Sequence, residues 1–262
     1  MSMREARLDK PLNPRQTAIV RRVEKEGHAT IDELVADFGV TPQTIRRDLT
    51  MLEDGGLIIR FHGGASPVTS TENLSYFDRQ ILNQPAKARI ARTLADQIPD
   101  HSSLFINIGT TNETIAHALM QHKGLQIITN NLNVATLMSS KEDFRVIVAS
   151  GEVRARDGGI VGESTLDFIR QFKLDYGIIG ISGIDNDGSL LDYDYREVRV
   201  AQTIIEHSRQ VLLAADHSKF GRQAMVRLGS ITQTDAFYTD RPPPKVFQDL
   251  LTEHQVRLFV CE

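Results

Sequence analysis

Between Arg15 and Glu26 the apolar positions Ala18, Ile19 and Val23 are set among mostly polar residues. That spacing puts them on one face of a helix. The pattern stops at Gly27 and restarts after Thr30 in IDELVADF, where Leu34, Val35 and Phe38 again share a face. Thr30 and Glu33 form a Thr-x-x-Glu capping box: the hydroxyl accepts from an orphan helix N–H and the carboxylate reaches back. Gly39 follows, where a positive φ is often needed to end a helix. Thr41 and Pro42 then open a third helix, PQTIRRDLTMLEDGG, with proline at its first position. Ile45, Leu49 and Leu52 form its buried stripe, and Gln43, Thr44, Arg46 and Arg47 lie off it. After Gly55-Gly56, LIIRFHGGAS alternates as a short strand pair with Arg60 and His62 near its tip.

Residues 66–86, SPVTSTENLSYFDRQILNQPA, are polar and have little periodicity, which predicts a linker or lightly packed connector. AKARIARTLADQI then reads as a helix, with Ile90, Leu94 and Ile98 four apart. Beyond it short apolar runs (LFINI, LQIIT, FRVIVAS, YGIIGIS, VLLAA, AFYT and VRLFV) alternate with helical stretches such as TNETIAHALM and REVRVAQTIIEHS. Runs this apolar, separated by helices, predict a largely parallel sheet covered on both faces. Ligands in such sheets sit beyond the carboxyl ends of the strands.

Composition narrows the class. The chain has 262 residues, 40% apolar and 24% charged, which suits one large or two ordinary folded domains and excludes wholesale disorder. No apolar stretch approaches the roughly 20 residues of a membrane helix. The first ten residues, MSMREARLDK, lack the apolar core of a signal peptide. Cys261 is the single cysteine, so no internal disulfide forms and a cytoplasmic location is expected. The net charge of -4 means that any nucleic-acid site is a local arrangement. Even residues 1–65 carry ten Lys/Arg against ten Asp/Glu.

Two short capped helices joined by a glycine-containing turn form a helix-turn-helix. Its second helix enters the major groove with its N-terminal polar residues forward. Arg and Gln pair well with guanine and adenine edges. Thr41, Gln43, Thr44, Arg46 and Arg47 are therefore the candidate DNA-binding residues, joined by Arg60 and His62 on the wing. Arg46 and Arg47 beside Asp48 and Glu53 also fit an ordinary solvated helix face; the capped motif and its wing favour the DNA reading.

In the larger half, polar residues gather at the strand ends. The candidates are Gly109, Thr110 and Thr111 after LFINI, Asn130 after LQIIT, Gly151 after FRVIVAS, Asp185 after YGIIGIS, and Asp216 with Lys219 after VLLAA. The Gly109 turn can wrap an anion with backbone N–H groups and two hydroxyls, and Lys219 can supply a matching charge. Asp185 and Asp216 can accept from the hydroxyls of a polyol. Gly-Thr-Thr also suits a plain helix cap, and Asn130-Asn131 the cap of NLNVATLM. His101, His117, His122 and His207 have no metal-ligand spacing, so no metal site is expected.

VTPQTIRRDL and RFHGGA resemble the DNA-binding head of the DeoR family of bacterial repressors. The similarity continues through NIGTT, TNNLNVA, SKEDF, RDGGIVGE, TLDFI, GISGIDNDGSL and DHSKFGR. It implies an α/β chain: a winged helix-turn-helix over 14–69 (helix-turn-helix 31–50), a linker over 70–86, and a sugar-phosphate effector-binding and oligomerisation domain over 87–262. That domain resembles ribose-5-phosphate isomerase and CoA-transferase folds. In the isomerases GISGID is matched by Gly-Ala-Asp-Glu-Ile-Asp, and Ser182 stands where their catalytic-set Asp does; their lysine-glycine run is absent too. A hydroxyl of ordinary pKa is a poor base near neutral pH, which favours a sensor over an enzyme. The resemblance thus implies a cofactor-free, homo-oligomeric repressor (dimer or tetramer) of glycerol and glycerol-3-phosphate metabolism genes. Glycerol 3-phosphate would release it from operator DNA. The alternatives are another sugar-phosphate effector, or an isomerase-like enzyme.

Overall fold

The computed structural model describes residues 12–26, 29–61, 63–68 and 76–262. Its N-terminal head consists of α1 (Pro14–Glu26), β1 (Ala29–Thr30), α2 (Ile31–Phe38), α3 (Pro42–Asp54), β2 (Ile58–Phe61) and β3 (Gly64–Pro67). The capping box forms as the sequence requires: Glu33 N–H donates to Thr30 Oγ1 at 3.3 Å and Thr30 N–H to Glu33 Oε2 at 2.8 Å. Gly39 ends α2 in the left-handed region at φ 60°, where a side chain would be strained. Thr41 caps α3 through the N–H of Thr44. The stripes of the three helices meet in one core of Ile19, Val23, Leu34, Ile45, Leu49 and Leu52, closed by Leu57, Ile58 and Ala65. β2 and β3 form the antiparallel wing, and β1 adds to the far side of β3.

The connector differs from its sequence reading. It contains a helix, α4 (Tyr76–Ile81), and residues 84–86 already belong to α5 (Gln84–Ala95). α4 buries none of its residues, so it leaves no apolar stripe to detect. Polar contacts hold it instead: Tyr76 Oη donates to Glu113 at 2.8 Å, and the Arg79 carbonyl accepts from Lys87 and Thr110.

The larger domain continues with β4 (Ser103–Ile106), α6 (Thr110–Leu119), β5 (Gln126–Thr129), α7 (Leu132–Met138), β6 (Arg145–Val148), β7 (Glu152–Val153), β8 (Ile160–Val161) and α8 (Glu163–Ile169). Next come β9 (Leu174–Gly180), β10 (Gly183–Ile184), β11 (Ser189–Asp192), α9 (Tyr195–Glu206), β12 (Ser208–Ala214), β13 (Val226–Ser230), β14 (Ala236–Thr239), α10 (Lys245–Glu253) and β15 (Arg257–Val260). Seven strands form one sheet in the order β15-β14-β12-β9-β4-β5-β6, with every pairing parallel. These are the seven apolar runs of the sequence. Alternation along each strand feeds two cores: Leu104 and Ile106 join one face, Phe105 the other. After β4 the chain builds outward through β5 and β6, then crosses back to place β9 on the other side of β4. Beyond the carboxyl ends of β4 and β9 the connections diverge and leave a crevice.

Candidate operator face and effector cleft

Gln43, Arg46 and Arg47 are exposed along α3, and with Thr50, Met51 and Asp54 they border a shallow surface groove. The acids that could neutralise the arginines are occupied elsewhere. Asp48 is buried and accepts from Arg15 Nε at 2.5 Å and from Gln16 Nε2 at 3.0 Å. Glu53 accepts from the Arg60 N–H at 3.3 Å, with the Arg60 guanidinium 3.7 Å away. Burial raises the Glu53 pKa despite that cation. Among the described residues Arg46 and Arg47 form no ion pair. A head of zero net charge thus presents a locally basic face.

The other head residues are placed differently. The Thr41 and Thr44 hydroxyls lie 3.0 Å apart and serve the cap. Arg60 pairs with Ala65, one pair in from the tip of the wing, and its Nη1 donates to Thr50 Oγ1 at 2.6 Å. It ties the wing to α3. His62 lies outside the described residues.

In the larger domain a cleft open to solvent lies where β4 and β9 end. One wall is Asn107–Thr111, another Gly180–Ser182, and Arg79, Asp192, Glu197 and Lys219 complete it. Gly109 has φ 131°, a conformation only glycine adopts freely, and it lets β4 turn directly into α6. Asn112 Nδ2 donates to the carbonyls of Asn107 and Ile108, each at 3.0 Å, and fixes the turn. The first amides of α6 have no partner within their own helix, and this helix N-terminus borders the cleft. The two threonines diverge. Both line the cleft, but Thr110 Oγ1 is engaged, accepting from Lys87 at 3.0 Å and donating to the Arg79 carbonyl at 3.1 Å.

Lys219 enters from the 3₁₀ turn His217–Lys219. Asp216 caps that turn, accepting from Ser218 N at 3.0 Å, Ser218 Oγ at 2.6 Å and Asn83 Nδ2 at 2.9 Å. Burial, with the Arg222 cation nearby, lowers the Lys219 pKa to about 7. Burial likewise brings Lys87 to about 8. Burial alone would raise Asp216, but Lys219, Ser218 and His217 hold it down at about 2. Burial raises both Asp192 and Glu197, and the Asp192 carboxylate raises Glu197 further, while Arg79 and Lys219 act to lower Asp192. Ser182 hydrogen-bonds Asp192, and Arg154 pairs with Glu197, with Asp194 at 3.3 Å and with Asp157 at 2.7 Å. The cleft is therefore bipolar: it carries the cations Arg79 and Lys219 together with the carboxylates Asp192 and Glu197.

Gly109, Thr110, Thr111 and Lys219 come together here, with Asp216 buried behind Lys219. Asn130, Gly151 and Asp185 do not join them. Asn130 Nδ2 is bound to the Ile160 carbonyl at 3.1 Å; the helix cap at this place is Asn131. Gly151 packs so closely that a Cβ would meet Thr165 Oγ1 at 2.2 Å. Asp185 shapes the β10–β11 hairpin, accepting from Gly188 N–H at 2.9 Å through its carbonyl. Arg79, Asp192 and Glu197 escaped the sequence reading. The acidic run DYDYRE was their only trace, and Arg79 sits in what read as linker. Asp192 and Glu197 also mean that Ser182 does not leave the cleft without carboxylates. Among the described residues no His/Cys/Asp/Glu group is arranged for a metal, and no helix is long and apolar enough to cross a membrane.

A winged helix-turn-helix fused to an α/β domain with a polar cleft at its strand crossover defines a ligand-sensing DNA-binding regulator. The chain belongs to the DeoR family of transcriptional repressors: the DeoR-like helix-turn-helix domain matches residues 15–71 and the DeoR C terminal sensor domain matches residues 82–241. It is 56% identical to the glycerol-3-phosphate regulon repressor of Escherichia coli (strain K12), over 94% of this chain and 98% of that one. It is 50% identical to the repressor of the same name from Haemophilus influenzae, over 94% and 96%. Among solved structures, ribose 5-phosphate isomerase A of Neisseria gonorrhoeae aligns at a TM-score of 0.38 and 15% identity, over 51% of this chain and 52% of that one.

Proposed function

We propose that this repressor controls genes of glycerol and glycerol-3-phosphate metabolism and leaves its operator when glycerol 3-phosphate fills the β4–β9 cleft. The bipolar cleft carries the reading. A phosphate suits the α6 amides, Thr111, Lys219 and Arg79, and two free hydroxyls suit Asp192 and Glu197. The two relatives at 50% and 56% identity are named for the same regulon. Gln43, Thr44, Arg46 and Arg47 form the operator face, Thr41 caps it, and Arg60 braces it. Gly109, Thr111 and Lys219 hold the phosphate, with Thr110 and Asp216 as supports. The protein acts in the cytoplasm, without a cofactor, as a homodimer or homotetramer.

Ligand loosens DNA only if it binds the two conformations unequally. The test is fluorescence anisotropy on a duplex from upstream of its glycerol-metabolism genes, titrated with glycerol 3-phosphate. Release of the wild type, with undiminished but effector-insensitive binding by Thr111→Ala, supports the reading. Release by a different sugar phosphate alone moves the effector assignment. The Asp192–Glu197 pair favours one further reading, an isomerase-like enzyme, because paired carboxylates in a cleft, with pKa raised by burial, suit a proton-transfer role. Sustained turnover of ribose 5-phosphate by the purified protein would establish it.

A further inference from the structure

The turn His217–Lys219 sends side chains to two places. Lys219 lines the cleft. His217 lies against the DNA-binding head, its Nε2 3.9 Å from Oδ1 of Asp54, the last residue of α3. His217 Nδ1 lies 2.8 Å from Asp240 Oδ2, and its N–H donates to Asp240 Oδ1 at 2.8 Å. Arg241 closes a ring: Nη1 is 3.5 Å from Asp54 Oδ1 and Nε is 3.7 Å from Asp240 Oδ2. The seam continues beside the ring as a crevice between Glu53, Gly56 and Ile58 of the head and Ser218, Phe220 and Arg222 of the larger domain.

The charges explain why the seam forms here. α3 ends in Glu53-Asp54 with no basic residue in its last turn. Acids at a helix C-terminus oppose the helix dipole and gain from nearby cations. Glu53 takes Arg60 from its own domain, while the basic groups at Asp54 are Arg241 and, when protonated, His217, both across the seam. The far end of the same helix carries Gln43, Arg46 and Arg47.

We infer that the His217–Lys219 turn, through the Asp54–His217–Asp240–Arg241 ring, is the contact by which occupancy of the cleft reaches the recognition helix. The inference rests on the effector reading above. An anion drawn against Lys219 acts on a turn only three residues long, so His217 moves with it. Asp54 is half-exposed and its contacts lie at 3.5 and 3.9 Å, so a small displacement breaks them reversibly. The turn's own amide bonds (Lys219 N–H to the Asp216 carbonyl at 3.1 Å and Gly221 N–H to the Ile184 carbonyl at 2.8 Å) report its state.

Hydrogen exchange on the full-length chain tests this, with wild type, Asp54→Asn, Arg241→Gln and Lys219→Ala compared. Asp54→Asn and Arg241→Gln should speed exchange at least threefold in residues 216–222, and Lys219→Ala should change exchange in residues 53–59. Both seam variants should also cut, at least threefold, the factor by which glycerol 3-phosphate weakens operator binding. The ratio matters because losing an acid near DNA raises operator affinity by itself. Unchanged exchange at 216–222 in both seam variants, or a wild-type release factor in both, overturns the inference. If glycerol 3-phosphate fails to bind the wild type while the exchange effects appear, the proposed effector falls and the seam stands.

Discussion

Arg46 and Arg47 owe their availability to Asp48 and Glu53, whose carboxylates are bound by Arg15, Gln16 and Arg60. Removing Arg46 should therefore cost a DNA contact and little else. Arg46→Ala is expected to weaken operator binding by about 1–3 kcal/mol if it meets a base edge, measured by anisotropy, with the effector-induced thermal shift unchanged. Lys219 yields a pH prediction. Its pKa in the free protein is lowered to about 7 by burial. A phosphate restores its charge, so above that pH binding takes up a proton and affinity falls, by at most about tenfold per pH unit. Calorimetry between pH 7 and 9 in buffers of different ionisation enthalpy should detect the uptake, and Lys219→Ala should abolish it. Gly109, Thr111 and Lys219, which line the cleft, were legible in the sequence because glycine, hydroxyl and cation at strand ends have local signatures. It also named Asn130, Gly151 and Asp185, which lie outside the cleft, because polar residues follow most strands, while few of those strand ends reach the cleft. Arg79, Asp192 and Glu197 reach the cleft through tertiary crossings that no local pattern records.

At the scale of elements, apolar runs identified all seven strands of the main sheet, since strands buried on both faces are nearly continuous in hydrophobicity. The head helices were equally visible through their caps and stripes. β1 has two residues, and α4 has no buried stripe, so neither carries a periodic signal. The junction of β4 and α6 depends on one backbone conformation. Gly109→Ala meets no steric obstacle closer than Asn112 Nδ2 at 3.7 Å, but φ 131° strains any L side chain. The substitution should cost about 1–3 kcal/mol of stability and abolish the effector-induced thermal shift. Operator binding below the new melting temperature should persist. Retained effector response at wild-type stability would show that the turn tolerates another conformation.

For the whole molecule, the strand order puts the cleft at the β4–β9 crossover, and the His217–Lys219 turn joins that cleft to the end of α3. An effector-released repressor couples two binding equilibria, and coupling is reciprocal: whatever factor effector takes from operator affinity, operator takes from effector affinity. The most direct measurement is the dissociation constant of glycerol 3-phosphate for the free protein and for the protein saturated with operator duplex. The two constants should differ by the same factor that separates operator affinity with and without saturating glycerol 3-phosphate. Equal effector constants in the free and operator-bound protein would contradict an effector-released repressor.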